Sequence, residues 1–582
     1  MIAIKSFVSP HQEKRAWSVS CCIHGQRNVD VIEDMANGKE SVEYGEDGLA
    51  ITSIEPNKPK LLMIKNQPVF GPRSLGVDIS FYSSQQLLQL YGHPAQRDRF
   101  RGIHNGGIVS DQYQLYNLDV FGYELDVPMA FYGSIPLLTA AQTFNSFGAF
   151  WYDLSKTFVD VITDANRRKK SHWMSESGVL YVFFLIGPLP PSFSKQYVSL
   201  TAIASTLPPV LNSGTISVAG TIEMSVTLIK EKPALIHKSH HFSPDPSVSV
   251  PFAMAIMQVK RKYLKYTTKM LLSMSIAGLT FVGADIGGFF GNPDTELLTR
   301  WYQAAAYQPF LRGHAHHDSD RREPWVFGEP HIRSAIRERY SLLPQLYTLF
   351  YICSTQGLPI IRLLWYHFDS DEILHQEDAF LLGSDLLIHP VQYKPIVGQG
   401  KLHDGIPAPI EHIPIFQRGG SIVTRKRRVR RSSALMHHDP VSLLITLDAT
   451  VSAKGQLYLD DERTFAYKVS NRFTLVHLEC PMNGLQSFVS ANGYASSVWV
   501  ERIEIYGFGA LYKVPTNVLR EFEAVSAVIS AKTNTKEDDM ESGVSYRPLD
   551  FTYDLDLDQL IVRKPALKLH EVWKLQFRYG DR

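Results

Sequence analysis

The stretch Leu279-Thr-Phe-Val-Gly-Ala-Asp285-Ile-Gly-Gly-Phe289 constrains the fold of this chain more than any other. An apolar run ends in a carboxylate, and a Gly-Gly pair then permits a tight turn. A second short apolar run, Tyr307 to Leu311, ends in Arg312-Gly-His314. Buried strands that finish in polar side chains and glycine-rich turns are how a parallel barrel presents groups at the C-terminal ends of its strands. Arg312 and His314, two apart on an extended segment, share one face. Together they suit hydrogen bonding to sugar hydroxyls or holding a nearby carboxylate ionised. Two plainer readings stay open: Asp285 caps its own turn, and Arg312 with His314 makes an ordinary loop ion pair.

Around this feature the chain is long and evenly composed. Its 582 residues suggest about three to five domains. Apolar content of 44% and charged content of 20% are those of a globular protein. The 59 Lys and Arg nearly cancel the 58 Asp and Glu, so no global field favours nucleic acid or an anionic membrane. The cysteines, an adjacent Cys21-Cys22 and isolated Cys353 and Cys480, form neither a disulfide framework nor a zinc motif. The opening apolar stretch turns polar at His11, too early for a signal peptide. The longest apolar runs, Val179–Ile186 and Leu271–Ala284, fall short of a membrane span. The expectation is a cytoplasmic chain, with the endoplasmic reticulum as the alternative if the true N-terminus lies further upstream.

Patterning divides the chain. Residues 1–208 read as β structure, with alternating runs at Leu61–Ile64, Gly76–Phe81, Gly148–Phe158 and Val179–Ile186, and imply an antiparallel sandwich. Residues 209–269 carry no clear motif and include the basic stretch Lys260–Lys269. Residues 270–390 read as α/β. Asn292-Pro293 predicts a helix start, followed by Leu297, Leu298, Trp301, Tyr302 and Ala305 on one face. A second helix is predicted over His331–Thr355, kinked at Pro344 and stopped at Gly357. Residues 391–470 and 471–582 read as two further β modules.

Other candidates are weaker. His314, His316, His317 and Asp318 invite a metal reading, but H-x-H-H spacing without a distant matched pair is a poor zinc signal, so no metal is expected. Trp325 offers an indole either for stacking on a sugar ring or for packing at the surface. The run Arg425-Lys-Arg-Arg-Val-Arg-Arg431 reads as a nuclear-localisation or polyanion patch, or as a charged strand edge that discourages aggregation; the edge is the preferred reading.

With these residues in place, a resemblance becomes specific. Leu271–Gly291, Leu297–Gly313, Arg321–Glu329 and Ile336–Pro344 resemble the barrel of the neutral α-glucosidases of glycoside hydrolase family 31. His172-Trp-Met-Ser-Glu-Ser-Gly178 is similar to the type C branch. Tyr113–Asp119 and Met129–Pro136 resemble that family's N-terminal sandwich, and Ile413–Ile422 and Leu457–Asp461 its C-terminal β domains. The resemblance covers roughly residues 71–209 and 270–582, with no match recognised before about Asn66. It implies an N-terminal β-sandwich, a (β/α)8 TIM barrel and C-terminal β-sandwich modules, hydrolysing terminal α-linked glucose with retention. It also implies that Asp285, Arg312, His314, Asp119, Phe289 and Trp325 bind the sugar, that no cofactor is needed, and that the substrate is a glucose-containing oligosaccharide or glycogen-like polymer. Nothing in it specifies a partner subunit.

One departure matters for activity. Retaining hydrolysis needs two carboxylates about 5–5.5 Å apart. In the family these sit in Trp-x-Asp-Met-Asn-Glu and Trp-Thr-Gly-Asp-Asn type motifs, and neither string occurs here. Such a barrel takes about 250 residues, whereas about 180 separate the two β regions of this chain. The segment between Val391 and Pro407 is also shortened relative to the family. The expectation is that barrel strands 7 and 8 are present, strands 1 to 6 are absent, and the chain as written is inactive; the alternatives are a non-catalytic carbohydrate-binding or interaction protein, or an incomplete splice or assembly product.

Overall fold

A computed structural model describes strand segments within residues 2–92, then 112–116, most of 134–201, 215–216, 252–254, nearly all of 259–508 apart from 393–405, and 517–523 and 544–578. The N-terminal region is the expected sandwich, an eight-stranded sheet facing a six-stranded one. Trp151 of the smaller sheet stacks on Trp173 of the larger, with ring centroids 5.0 Å apart. Each indole N–H is satisfied: Trp151 Nε1 donates to Ser175 Oγ at 3.0 Å, and Trp173 Nε1 to Ser171 Oγ at 2.9 Å. The run expected at Gly148–Phe158 is two strands, Asn145–Tyr152 and Thr157–Thr163, in different sheets. An Asp153 side chain that accepts from Ser155 N–H turns the chain between them.

Helix α1, Pro190–Thr201, packs on the outer face of the smaller sheet. This is why the strand at Asn145–Tyr152 is buried on both faces from Ser146 to Trp151 instead of alternating. The seat is Gly148, where an added Cβ would lie 2.1 Å from Phe193 Cε2.

The central region holds an arc of parallel strands. Phe252–Met254 pairs with Val282–Ala284, and Thr215–Ile216 pairs with Arg312–Gly313. A single parallel bridge, Asp285 to Arg312, joins the two pairs. The spatial order is therefore 252–254, 282–284, 312–313, 215–216. This corrects the expectation that only the last two barrel strands remain, because segment 209–269 adds a short strand at each side. Such strands of two and three residues carry no periodicity to read.

The basic stretch Lys260–Lys269 begins helix α2, Arg261–Ile276. Tyr263, Leu264, Thr267, Thr268, Leu271 and Leu272 recur at helical spacing and are buried. Two of its cations are closely paired: Arg261 with Glu296 at 2.9 Å and Lys269 with Glu377 at 2.5 Å. Helix α3, Thr295–Ala305, starts two residues later than Asn292-Pro293 predicts. Its cap is Asp294, whose Oδ1 accepts from Leu297 N–H at 2.7 Å. Asn292 is instead engaged with Asp320 through its side-chain amide and carbonyl. The predicted kinked helix is two, α4 (Pro330–Ser341) and α5 (Leu343–Gln356), with Pro344 in the first turn of α5, where its missing N–H costs nothing. Gly357 ends α5 in the left-handed region, as predicted.

After α5 the chain is β again. Ile361–Arg362, Phe380–Leu382, Leu386–Ile388 and Ile415–Gln417 form one antiparallel sheet packed against the barrel core. An eleven-stranded sheet over a second core follows. Hydrogen bonding runs straight through the boundary expected near residue 470, since Ala453–Leu459 pairs with Thr474–Cys480. Buried Arg300 ties α3 to this half by donating to Ala408 O at 2.8 Å and Pro409 O at 2.7 Å. Tyr347 of α5 likewise donates to the buried Asp460. The run Arg425–Arg431 begins at the last residue of strand Ser421–Arg425, and most of its arginines are paired. Arg425, Arg427, Arg428 and Arg430 pair with Glu338, Glu504, Glu501 and Asp439. Among the described residues no helix is long and apolar enough to cross a membrane.

Gly148→Ala tests the seat of α1. Phe193 is buried and cannot swing away freely, so overpacking should lower stability by about 1–3 kcal/mol. A shift in the urea midpoint at unchanged slope measures it.

Candidate functional site

The site forms where the two central strands end. Val282–Ala284 is wholly buried, and it delivers Asp285 with no exposed surface at all. Arg312 leaves the adjacent strand and donates to Asp285 Oδ1 twice, from Nε at 2.7 Å and Nη2 at 2.6 Å. The backbones are stitched as well, since Ile286 N–H donates to Arg312 O at 3.0 Å. Both guanidinium contacts fall on one carboxylate oxygen. The other, Oδ2, is buried and has no hydrogen-bond partner among the described residues. A buried acceptor left unmatched is costly unless something else supplies the donor. Burial pushes the Asp285 carboxyl up to about 7, against the opposing pull of Arg312 and Arg322.

The turn after Asp285 is fixed from behind. Gly287 and Gly288 have φ of 84° and 79°, which side-chain-bearing residues rarely adopt. Arg322 braces the turn by donating to Gly287 O at 3.1 Å, Gly288 O at 2.6 Å and Gly291 O at 2.5 Å. The turn places the Phe289 ring 5.5 Å from the His314 ring. The sequence-predicted Asp285, Arg312, Phe289 and His314 are thus brought together. Trp325 stands at the surface, 63% exposed, where its ring is available to a ligand. Asp119 lies outside the described residues.

Sequence reasoning missed two residues here. Arg322 was read only as part of a run, yet it is buried and holds the glycine turn. Glu323 is also buried, with Oε1 taking Arg321 Nη2 at 2.9 Å and Oε2 without a partner among the described residues. The only signal was a charged triplet directly before Pro324-Trp325, which looks like solvated loop. Contacts reaching back more than thirty residues leave no local pattern.

Comparison with known proteins agrees with this layout. Residues 14–160 match the glycosyl hydrolase 31 N-terminal galactose mutarotase-like domain, residues 257–349 the glycosyl hydrolases family 31 TIM-barrel domain, and residues 357–423 the glycosyl hydrolase family 31 C-terminal domain. The first match begins well before Asn66, and the second begins inside the segment read as unmatched, which corrects both expectations. Neutral alpha-glucosidase AB of Dictyostelium discoideum is 29% identical over 85% of this chain and 72% of its own length. Neutral alpha-glucosidase C of Homo sapiens is 28% identical over 95% of this chain and 82% of its own. The Dictyostelium alignment spans 714 positions, more than the 582 residues here, so part of that relative has no counterpart in this chain. Among solved structures, a Glc1Man2-bound glucosidase II alpha subunit superimposes with a TM-score of 0.72 at 22% identity, over 99% of this chain and 87% of that one. A glucose-complexed GH31 dextranase of Flavobacterium johnsoniae gives 0.68 at 14% identity, over 97% of both chains. With three models of one family in order along the sequence and that family's architecture in the fold, the chain belongs to glycoside hydrolase family 31.

Proposed function

We propose that this chain is an α-glucosidase-type protein whose remaining half-site holds the terminal glucose of a glucose-containing oligosaccharide or glycogen-like polymer, and that the chain as written does not cleave the bond. The α-glucosidase part rests on the named relatives. The binding part rests above all on Asp285 Oδ2, a buried acceptor without a partner among the described residues, set at a strand end beside Arg312. A sugar hydroxyl donates to such an oxygen. Arg312 fixes the carboxylate's orientation and lowers the cost of its charge. His314 and Phe289 present ring faces and edges against which the apolar face of a pyranose packs.

The absence of cleavage rests on chemistry. A glycosyl-enzyme intermediate needs a nucleophilic carboxylate and a second carboxyl to protonate the leaving oxygen. The sequence contains neither motif that carries them in the family. Asp285 is a poor substitute for the nucleophile, because both guanidinium contacts and the strand bridge hold it in the wall of the barrel.

Calorimetric titration of the purified chain with glucose and maltose tests the proposal. Saturable binding is expected, weakened about tenfold or more in Asp285→Asn and in His314→Ala, with no glucose released from maltose or an aryl α-glucoside. Turnover by the wild-type chain that disappears in Asp285→Asn would contradict it. The same carboxyl gives a pH prediction. Its folded pKa of about 7 exceeds the unfolded value, so between about pH 4 and about 7 the folded chain keeps a proton that the unfolded chain has released. Stability from this group is present below that window and falls as pH rises through it, by up to about 1.4 kcal/mol per pH unit. Urea midpoints compared at acid and neutral pH should show this component in the wild type and lose it in Asp285→Asn.

A further inference from the structure

The loop that leaves the sugar-binding strand carries a second cluster, which the sugar reading does not use. We propose that His316, His317 and Asp318 bind one divalent transition-metal ion of the zinc class. One donor atom from each of the three lies within 4.8 Å of the other two. Asp318 sits between the rings, with Oδ2 at 3.4 Å from His316 Nδ1 and Oδ1 at 3.2 Å from His317 Nε2. Two ligand atoms held 2.0–2.2 Å from a tetrahedral ion are about 3.3–3.6 Å apart, and the two separations, each to a different carboxylate oxygen, lie close to that range, so a rotation of the carboxylate brings one oxygen to both rings. Two imidazoles and a carboxylate are the donor set that zinc, cobalt and nickel accept, leaving a fourth position for water.

The spacing H-x-H-H alone is a poor zinc signal, because it offers no matched partner from elsewhere. The structure supplies the third ligand from the next residue, and it fixes the loop. His316 N–H donates to Phe289 O at 2.9 Å, Ser319 N–H to His316 O at 3.0 Å, and Asp320 N–H to Asn292 Oδ1 at 2.8 Å. The His316 ring packs against Phe289 and Phe290. One ligand is therefore held in place before the ion arrives, while His317 and Asp318 remain exposed to receive it. His316 Nδ1 also accepts a 3.3 Å hydrogen bond from Asp318 N–H, which an ion at that nitrogen would replace. An ion pair is the competing explanation of the cluster. The two ring centroids are 4.0 Å apart, and one divalent ion engages both rings and the carboxylate together.

Cobalt(II) titration of the full chain, followed by visible absorption, tests the site, with zinc competition by calorimetry as the second readout. One equivalent should bind in the low-micromolar range. His317→Ala and Asp318→Ala, both at exposed positions, should each weaken it about tenfold or more, while His314→Ala leaves it intact. Failure of the wild type to take up an ion at micromolar concentration would overturn the proposal, as would unchanged binding in both variants. None of these readouts depends on sugar, so the outcome is separate from that of the proposed function.

Discussion

The paired contact between Asp285 and Arg312 is the interaction on which the centre of this molecule depends. It joins two neighbouring strand ends whose backbones also meet at one bridge and at a Phe310 N–H to Val282 O hydrogen bond, and it does so with no exposed carboxylate surface. A buried ion pair is not a large net stabiliser, because desolvation offsets its Coulomb energy. Removing one partner is different, and strands an uncompensated charge at a cost of about 3–5 kcal/mol. The pair therefore specifies more than it stabilises. It ties the two strand ends together at one carboxylate oxygen and leaves the other without a hydrogen-bond partner among the described residues.

Much of this site was legible in the sequence. Asp285 at the end of an apolar run and the glycine pair in a tight turn after it each follow from a local rule, and the structure has both. The helical face of α3 and the glycine stop of α5 were local too. What stayed hidden was long-range. Arg322 bracing the glycine turn, Arg300 reaching the carbonyls of residues 408 and 409, and the ion pairs of Arg425, Arg427 and Arg428 all join segments far apart in sequence. The start of α3 was misplaced for the same reason, since Asp320 claims the side chain that would have capped it.

The short strands at 215–216 and 252–254 change the picture of the barrel. They extend the two expected strands to an arc of four, in parallel order, with helices α2 to α5 following the strands in the usual alternation. Eight strands close a barrel of this type, and the carboxylates that family 31 chemistry requires sit on strands whose motifs this sequence lacks. In the proposed reading the retained part is the sugar-facing wall, with a sandwich before it and β modules after it. The proposed reading, binding without cleavage, has a physical basis, because a hydroxyl acceptor works singly whereas a displacement needs two carboxyls acting together.

The most direct test of this division is covalent trapping. A retaining glucosidase treated with an activated fluoroglucoside accumulates its glycosyl-enzyme, which intact-mass spectrometry reads as one added sugar per chain. The account predicts no mass increase in this protein under conditions where calorimetry shows glucose bound. A stoichiometric adduct, mapped to any carboxylate of this chain, would contradict it.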